Sequence, residues 1–323
     1  MAVFTEVPFE TAQAFVDRLR IGALTGLRGC PGGIENTNYF ADTTQGRYVL
    51  TLFERLSFEQ LPFYLHLMKH LAERGIPVPD PQADAQGRIL HELLGKPAAL
   101  VNRLPGGHHL APDARHCATV GRTLARMHLA GLDFKMAQPN LRGLDWWIET
   151  VPVVLPFLDA PRRALIESEL QFQQQVAASP AYGVIPAGPI HADLFRDNVM
   201  FDDAGGADVL GGFFDFYFAG IDRFIFDIAV CLNDWCIDLA TGVLSEDRAQ
   251  AFVAAYDEVR ELTANEIRLL PAMMRAAALR FWISRLWDFH LPRDASMLQA
   301  HDPDHFERVL RCRIDAPWHY ERR

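Results

Sequence analysis

Residues 190–199 read IHADLFRDNV. The stretch sets His191, Asp193 and Asn198 in an H-x-D-x-x-x-x-N array between two apolar segments, and the later run GGFF at 211–214 leads directly into a second acid, Asp215. This order of groups suits phosphoryl transfer from a magnesium nucleotide. One aspartate receives the proton of the attacking hydroxyl, while an asparagine and a later aspartate hold the metal. The spacing therefore implies a kinase, with Asp193 as the base and Asn198 and Asp215 as metal ligands.

The residues around the array fit that arrangement. Magnesium prefers oxygen ligands and keeps several waters, so one or two protein groups suffice beside the phosphates. A strand over 199–201, a turn over 202–206 and a returning strand over 209–214 put Asn198 and Asp215 at the two ends of one hairpin. His191 is expected to orient the loop through hydrogen bonds from the core. Asp227, at the start of an apolar helical run, is expected to cap that helix or to brace the loop. Asp197 reads as a loop-stabilising carboxylate.

Upstream, residues 9–19 carry Ala12, Phe15, Val16 and Leu19 at helical spacing. Strand-like runs follow at 23–28, 38–41 and 47–53, the last two joined by the turn-forming segment DTTQG. Ser57 and Gln60 have capping-box spacing and open an expected helix with the apolar stripe Leu61, Tyr64, Leu65, Met68 and Leu71. Gly75 and Pro77 end it. Strands at 88–93 and 98–104 lead to Pro105-Gly106-Gly107, and helices are expected at 113–130, 144–150, 162–178 and from 227 onward. The pattern divides the chain into a β-rich nucleotide-binding domain, 1–104, and a mainly helical catalytic and acceptor-binding domain, 105–323. Two such lobes would leave a cleft, where ligands usually bind.

Within the first domain, Gly29, Gly32, Gly33 and Asn36 form a small-residue segment whose N–H groups can approach phosphates, or a plain loop. Backbone groups from Val101 to Arg103 are candidates for the adenine edge. His128 lies beside the apolar stripe of its helix and reads as core; His108 and His109 read as a solvated loop. The tryptophans read mostly as core, with Trp235 and Trp282 able to line an acceptor pocket.

Composition bounds the alternatives. The 323 residues are 50% hydrophobic and 22% charged, with a net charge of −10. That balance argues against a nucleic-acid groove or an anionic membrane surface, both of which need clustered Lys and Arg. Five cysteines with no C-x-x-C pair suit free thiols in a reducing compartment. Neither a secretory signal nor an apolar stretch long enough to cross a bilayer is evident, so a cytoplasmic protein is expected.

The motif HADLFRDN with the later FFDF resembles the aminoglycoside-phosphotransferase-like kinases. The stretches GGIENTNYF, YVLTLFE, LARMHLAG, DIAVCLNDWC, ALRFWISRLWD and DPDHFERVL extend the likeness over nearly the whole chain. DIAVCLNDWC and ALRFWISRLWD resemble the bacterial homoserine kinases in particular. The resemblance implies an α+β, bilobal, protein-kinase-like fold, with a small antiparallel sheet lobe and a larger helical lobe. It also implies Mg2+-dependent transfer of the ATP γ-phosphate to the side-chain hydroxyl of L-homoserine, in threonine biosynthesis. Kinases of this fold commonly carry a lysine on the third strand, where this chain has Thr51, so Arg28 or Arg55 is left to neutralise phosphate. A free amino acid needs a cation for its carboxylate, for which Arg280 and Arg285 are candidates, and an acceptor for its ammonium, for which Asp222 and Asp234 are candidates. Choline, ethanolamine-like or aminoglycoside acceptors, and a nucleotide-binding pseudokinase scaffold, remain the alternatives.

Overall fold

The computed structural model describes residues 5–30, 36–202, 209–291 and 301–322. Gly32, Gly33 and most of the expected turn at 202–206 lie outside the described residues. The chain divides into two compact units, Met1–Gly106 with Gly211–Phe214, and Gly107–Leu210 with Asp215–Arg323.

The first unit is built on a five-stranded antiparallel sheet. Its strands are β1 (Leu24–Gly29), β2 (Asn36–Thr43), β3 (Arg47–Phe53), β4 (His91–Leu93) and β5 (Lys96–Asn102), in the order β1-β2-β3-β5-β4. Helix α1 (Phe9–Leu19) lays Ala12, Phe15, Val16 and Leu19 on the sheet, against Leu24, Tyr39, Leu50, Leu52 and Leu100. Full burial of one such leucine is worth about 1.5–3 kcal/mol. The short segment Gly211–Phe214 also belongs here. Gly212 has φ +145°, and a Cβ on it would lie 2.3 Å from the Pro77 carbonyl, to which the Phe213 N–H donates at 2.9 Å.

Helix α2 (Pro62–Glu73) starts later than the Ser57–Gln60 spacing suggests. The Ser57 N–H does donate to the Gln60 side chain at 3.0 Å, but this closes a separate turn. Pro62 then takes the first helical turn, where its missing N–H is not needed. The strand expected over 88–93 is only three residues long, because Arg88 is folded back onto Asp84 through both its main chain and its guanidinium.

The second unit is mainly helical. It contains α3 (Ala114–Gly131), α4 (Leu144–Val154), α5 (Ala160–Ala177), the single turn α6 (Pro180–Gly183), α7 (Phe224–Trp235), α8 (Glu246–Asp257), α9 (Ala264–His290) and α10 (Asp304–Asp315). Two short strand pairs accompany them: β6 (Ala187–Ile190) with β9 (Gly220–Arg223), and β7 (Val199–Asp202) with β8 (Val209–Phe213), whose residues from Gly211 onward are counted with the first unit. Helix α3 approaches α8 closely at Gly121, where a Cβ would sit 2.3 Å from the Phe252 carbonyl. A capping box from Thr263 and Glu266 starts α9. Its middle, from Met273 to Ile283, is buried almost all round, as expected of a helix at the centre of a helical unit. That central run carries Arg280.

Candidate active site

The array leaves β6 on a loop held mainly by one helix. Asp227, Asp234 and Trp235 fall at i, i+7 and i+8 of α7 and therefore share a face. The fully buried Asp227 carboxylate accepts from the N–H groups of His191 and Ala192, both at 2.8 Å. The Trp235 indole donates to the Leu194 carbonyl at 3.0 Å. The Asp234 carboxylate accepts from the Arg196 N–H at 2.8 Å and from its Nε at 3.1 Å. Buried His191 accepts from the Asp193 N–H through Nδ1 at 3.3 Å and lies against the Phe216 ring. Asn198 donates from Nδ2 to the Asp193 carbonyl at 2.8 Å. That commits its nitrogen and leaves Oδ1 as the atom able to face a cation.

Two residues of the site adopt left-handed backbone: Ala192 at φ 64° and Asp215 at φ 65°. Non-glycine residues there cost of order 1–3 kcal/mol and persist only where their surroundings enforce them. Asp227 does so for Ala192. As a result Asp193 and Asp215 each stand at or next to a strained residue.

Behind the loop runs a buried polar chain. His128 contacts Asp227 through Nε2 at 3.0 Å and the Tyr256 hydroxyl through Nδ1 at 2.6 Å. Tyr256 in turn accepts from Arg260 Nε at 2.7 Å, and Arg260 pairs with Glu266. Burial lowers the pKa of His128; its Nε2 faces the carboxylate and its Nδ1 the Tyr256 hydroxyl. Burial alone would raise the pKa of Asp227, but the His128 hydrogen bond and the His191 N–H outweigh it and hold the group below the usual range.

The Asp193 side chain is 16% exposed. Burial pushes its pKa up to about 7, opposed by Arg280 and reinforced by the nearby charge of Asp215. Arg280 NH1 lies 3.7 Å from Asp193 Oδ1. The guanidinium packs beside Phe281 and Phe218, 3.7 and 5.1 Å from their ring centres. Burial, opposed by Asp193 and aided by the charges of Arg142 and Arg285, lowers its pKa to about 10. Arg285 is half-buried and also acts on Asp193 electrostatically. Among the described residues no cluster of three His, Cys, Asp or Glu could hold a metal; the oxygens expected from the sequence as donors are those of Asn198 and Asp215. That pair suits magnesium, which needs few protein ligands beside phosphate.

Several expected roles change. Asp234 is not open to a substrate ammonium, because Arg196 occupies it. Asp222 accepts from Asn140 Nδ2 at 2.8 Å and borders a cavity of about 30 Å³, room for a water rather than an amino acid. Asp227 sits in the first turn of α7, whose N-cap is Arg223, so it braces the loop and caps nothing. Trp235 and Trp282 are fully buried and form no cage for choline. In the first unit Val101 lies between Val49 and Pro81. The Arg103 N–H is taken by the Arg47 carbonyl at 2.9 Å, so that N–H is not free for an adenine edge. The Thr51 hydroxyl donates to Asn38 at 2.7 Å. Gly29 ends β1 and Asn36 begins β2. His108 is exposed in its loop, as expected, whereas His109 is half-buried there, stacked on His116 at 3.8 Å. Reading the sequence alone misses His128 and Arg196 as parts of the loop's support. The i, i+7, i+8 spacing on α7 is the one sequence signal that could have shown how the loop is held.

The sequence model of the phosphotransferase enzyme family matches residues 26–262. The chain belongs to that family. A homoserine kinase of Polaromonas naphthalenivorans is 66% identical over 318 residues, covering 98% of this chain and 99% of its own length. A homoserine kinase of Cupriavidus taiwanensis is 57% identical, covering 98% and 96%. Among solved phosphotransferase-like structures, amicoumacin kinase in complex with AMP-PNP and Ca2+ superposes with a TM-score of 0.67 at 16% identity, over 94% of this chain and 92% of that one. That likeness shows the fold: the α+β kinase-like architecture of the family. No helix of the described residues is long and apolar enough to cross a membrane.

Proposed function

We infer that this phosphotransferase is a homoserine kinase, transferring the γ-phosphate of ATP to the side-chain hydroxyl of L-homoserine in threonine biosynthesis. The observation that carries this reading is the 66% identity to a homoserine kinase over nearly the full length of both chains. The surroundings of Asp193 support it. Three arginines, Arg280, Arg285 and Arg142, surround that carboxylate or act on each other there, which suits an acceptor bearing a carboxylate. An aminoglycoside, carrying several ammonium groups, would meet repulsion instead, and the buried tryptophans provide no cage for a quaternary amine.

In this reading Asp193 orients the acceptor hydroxyl and takes its proton as the phosphoryl group leaves ATP. A pKa close to working pH suits that task. Asn198 Oδ1 and Asp215 would hold Mg2+, which would supply neutralisation of the charge that develops on the transferring phosphoryl group. His191 and Asp227 orient the loop. The first unit binds the nucleotide, with the segment from Gly29 to Asn36 near its phosphates, and the second unit carries the acceptor. The enzyme works in the cytoplasm, where ATP and free amino acids are available.

The test is ADP release with L-homoserine, choline, an aminoglycoside and a protein hydroxyl offered in turn. Homoserine should exceed the others by at least about a hundredfold in kcat/KM. A preference for choline or an aminoglycoside would overturn the acceptor and leave the kinase.

A further inference from the structure

Arg280 stands out among the buried charges of the second unit. Its side chain is 3% exposed, yet neither Nε nor NH2 has a hydrogen-bond partner among the described residues. NH1 reaches only to 3.7 Å from Asp193, beyond hydrogen-bonding range. The other strongly buried arginines differ. Arg196 is bonded to Asp234 and to the Leu110 carbonyl, Arg260 to Tyr256 and Glu266, and Arg313 to Asn233. A buried guanidinium with idle donors is unfavourable unless something else satisfies it. Phe281 and Phe218 hold its plane in place, so the donors are fixed as well as unfilled.

The Nε–NH2 edge of arginine matches a carboxylate, because its two parallel N–H bonds meet two oxygens. We propose that Arg280 receives the α-carboxylate of the acceptor amino acid on its Nε–NH2 edge. This deepens the homoserine-kinase reading and rests on it. The remaining nitrogen, NH1, points toward Asp193, so one rigid group relates the anchor of the substrate to the base. The carboxylate and the hydroxyl of homoserine are separated by its α-carbon and two methylenes. Anchoring one end on Arg280 therefore brings the other toward Asp193. An amino acid lacking the free carboxylate would leave the guanidinium unpaired in the complex, and selectivity would follow from that loss.

The experiment compares L-homoserine with L-homoserine amide as acceptors for wild type, Arg280→Met and Arg280→Lys, together with melting temperatures of the unliganded proteins. Wild type should favour homoserine over the amide by about a hundredfold or more in kcat/KM. In Arg280→Met that preference should fall to within a few-fold, through a higher KM for homoserine, while KM for ATP holds. Arg280→Lys, a point charge without the fork, should retain part of the preference. Any effect on Asp193 is common to both acceptors and cancels in the ratio. Arg280→Met should melt no lower than wild type, since it removes a buried guanidinium whose Nε and NH2 no described residue fills and whose contact with Asp193 is no closer than 3.7 Å. Retention of the full preference in Arg280→Met overturns the proposal. So does a methionine variant that melts well below wild type or fails to fold, which would make the guanidinium a structural element. Equal use of both acceptors by wild type also overturns it, while leaving the homoserine kinase intact. Failure of wild type to phosphorylate homoserine at all instead removes the functional reading, and this proposal with it.

Discussion

Replacing Asp227 by asparagine tests whether α7 sets the geometry of the catalytic loop. The carboxylate accepts three hydrogen bonds, from the His191 N–H at 2.8 Å, the Ala192 N–H at 2.8 Å and His128 Nε2 at 3.0 Å. An asparagine amide oxygen can replace Oδ2 and keep the bonds to His191 and His128. Its NH2 then faces the Ala192 N–H, donor against donor. One stranded buried donor costs about 1–3 kcal/mol, and the two surviving bonds each lose about 1 kcal/mol with the charge. The sum, roughly 3–5 kcal/mol, is a large share of the 5–15 kcal/mol typical of a folded domain. At about 2–4 °C per kcal/mol it should lower the melting temperature by roughly 6–20 °C. Freed from Asp227, Ala192 can leave its left-handed conformation and carry Asp193 with it. A displacement near 1 Å costs on the order of a hundredfold in rate, so kcat should fall by about 10- to 100-fold with KM for ATP nearly unchanged. Calorimetry and steady-state kinetics on the same preparation decide the matter. A melting temperature within about 2 °C of wild type would refute the hydrogen-bond argument. A normal kcat in a destabilised variant would refute the link to catalysis.

Three further outcomes are expected. Asp193→Asn should lower kcat by at least about a hundredfold with nucleotide affinity nearly kept, as for a lost general base; turnover within a few-fold of wild type would remove it from that role. Asp215→Ala should weaken magnesium-dependent nucleotide binding as well as turnover, and titrating MgATP at several metal concentrations checks it; an unchanged metal dependence would count against the assignment. Glu54 is half-buried, which by itself raises its pKa, but hydrogen bonds from Lys96, Thr37 and Thr5 outweigh burial and hold it below the normal 4.5. Its folded pKa lies below the unfolded one, so its stabilisation is present above that unfolded value and is lost as pH falls through the folded value. Glu54→Gln should cost about 1–3 kcal/mol near neutral pH. The gap from wild type should narrow on acidification in equilibrium unfolding, and a gap independent of pH would rule the mechanism out.

Much of this was legible in the linear chain because it depends on near neighbours. Helix α1 and strand β3 have the limits expected from apolar spacing, since each buries one face and the period of that face is written locally. The order Asp193, Asn198, Asp215 could be read for the same reason: it lies on one loop and one hairpin. Helix α2 begins later than its local spacing suggests because Ser57 and Gln60 form their pair in a turn as readily as in a capping box, and Pro62 settles where the helix begins.

What the tertiary structure alone decided is which charged groups are occupied. Asp234 and Arg280 look alike in the sequence, each a charged residue in a mostly apolar helix. Packing gives Asp234 to Arg196, which is 38 residues away in the chain, and gives Asp227 to His128, 99 residues away. It leaves the Nε and NH2 of Arg280 without a partner among the described residues. Local propensity and periodicity act over a few residues and fix which face of an element is buried. Whether a buried charge is satisfied depends on side chains brought together from distant segments, and no local pattern records that.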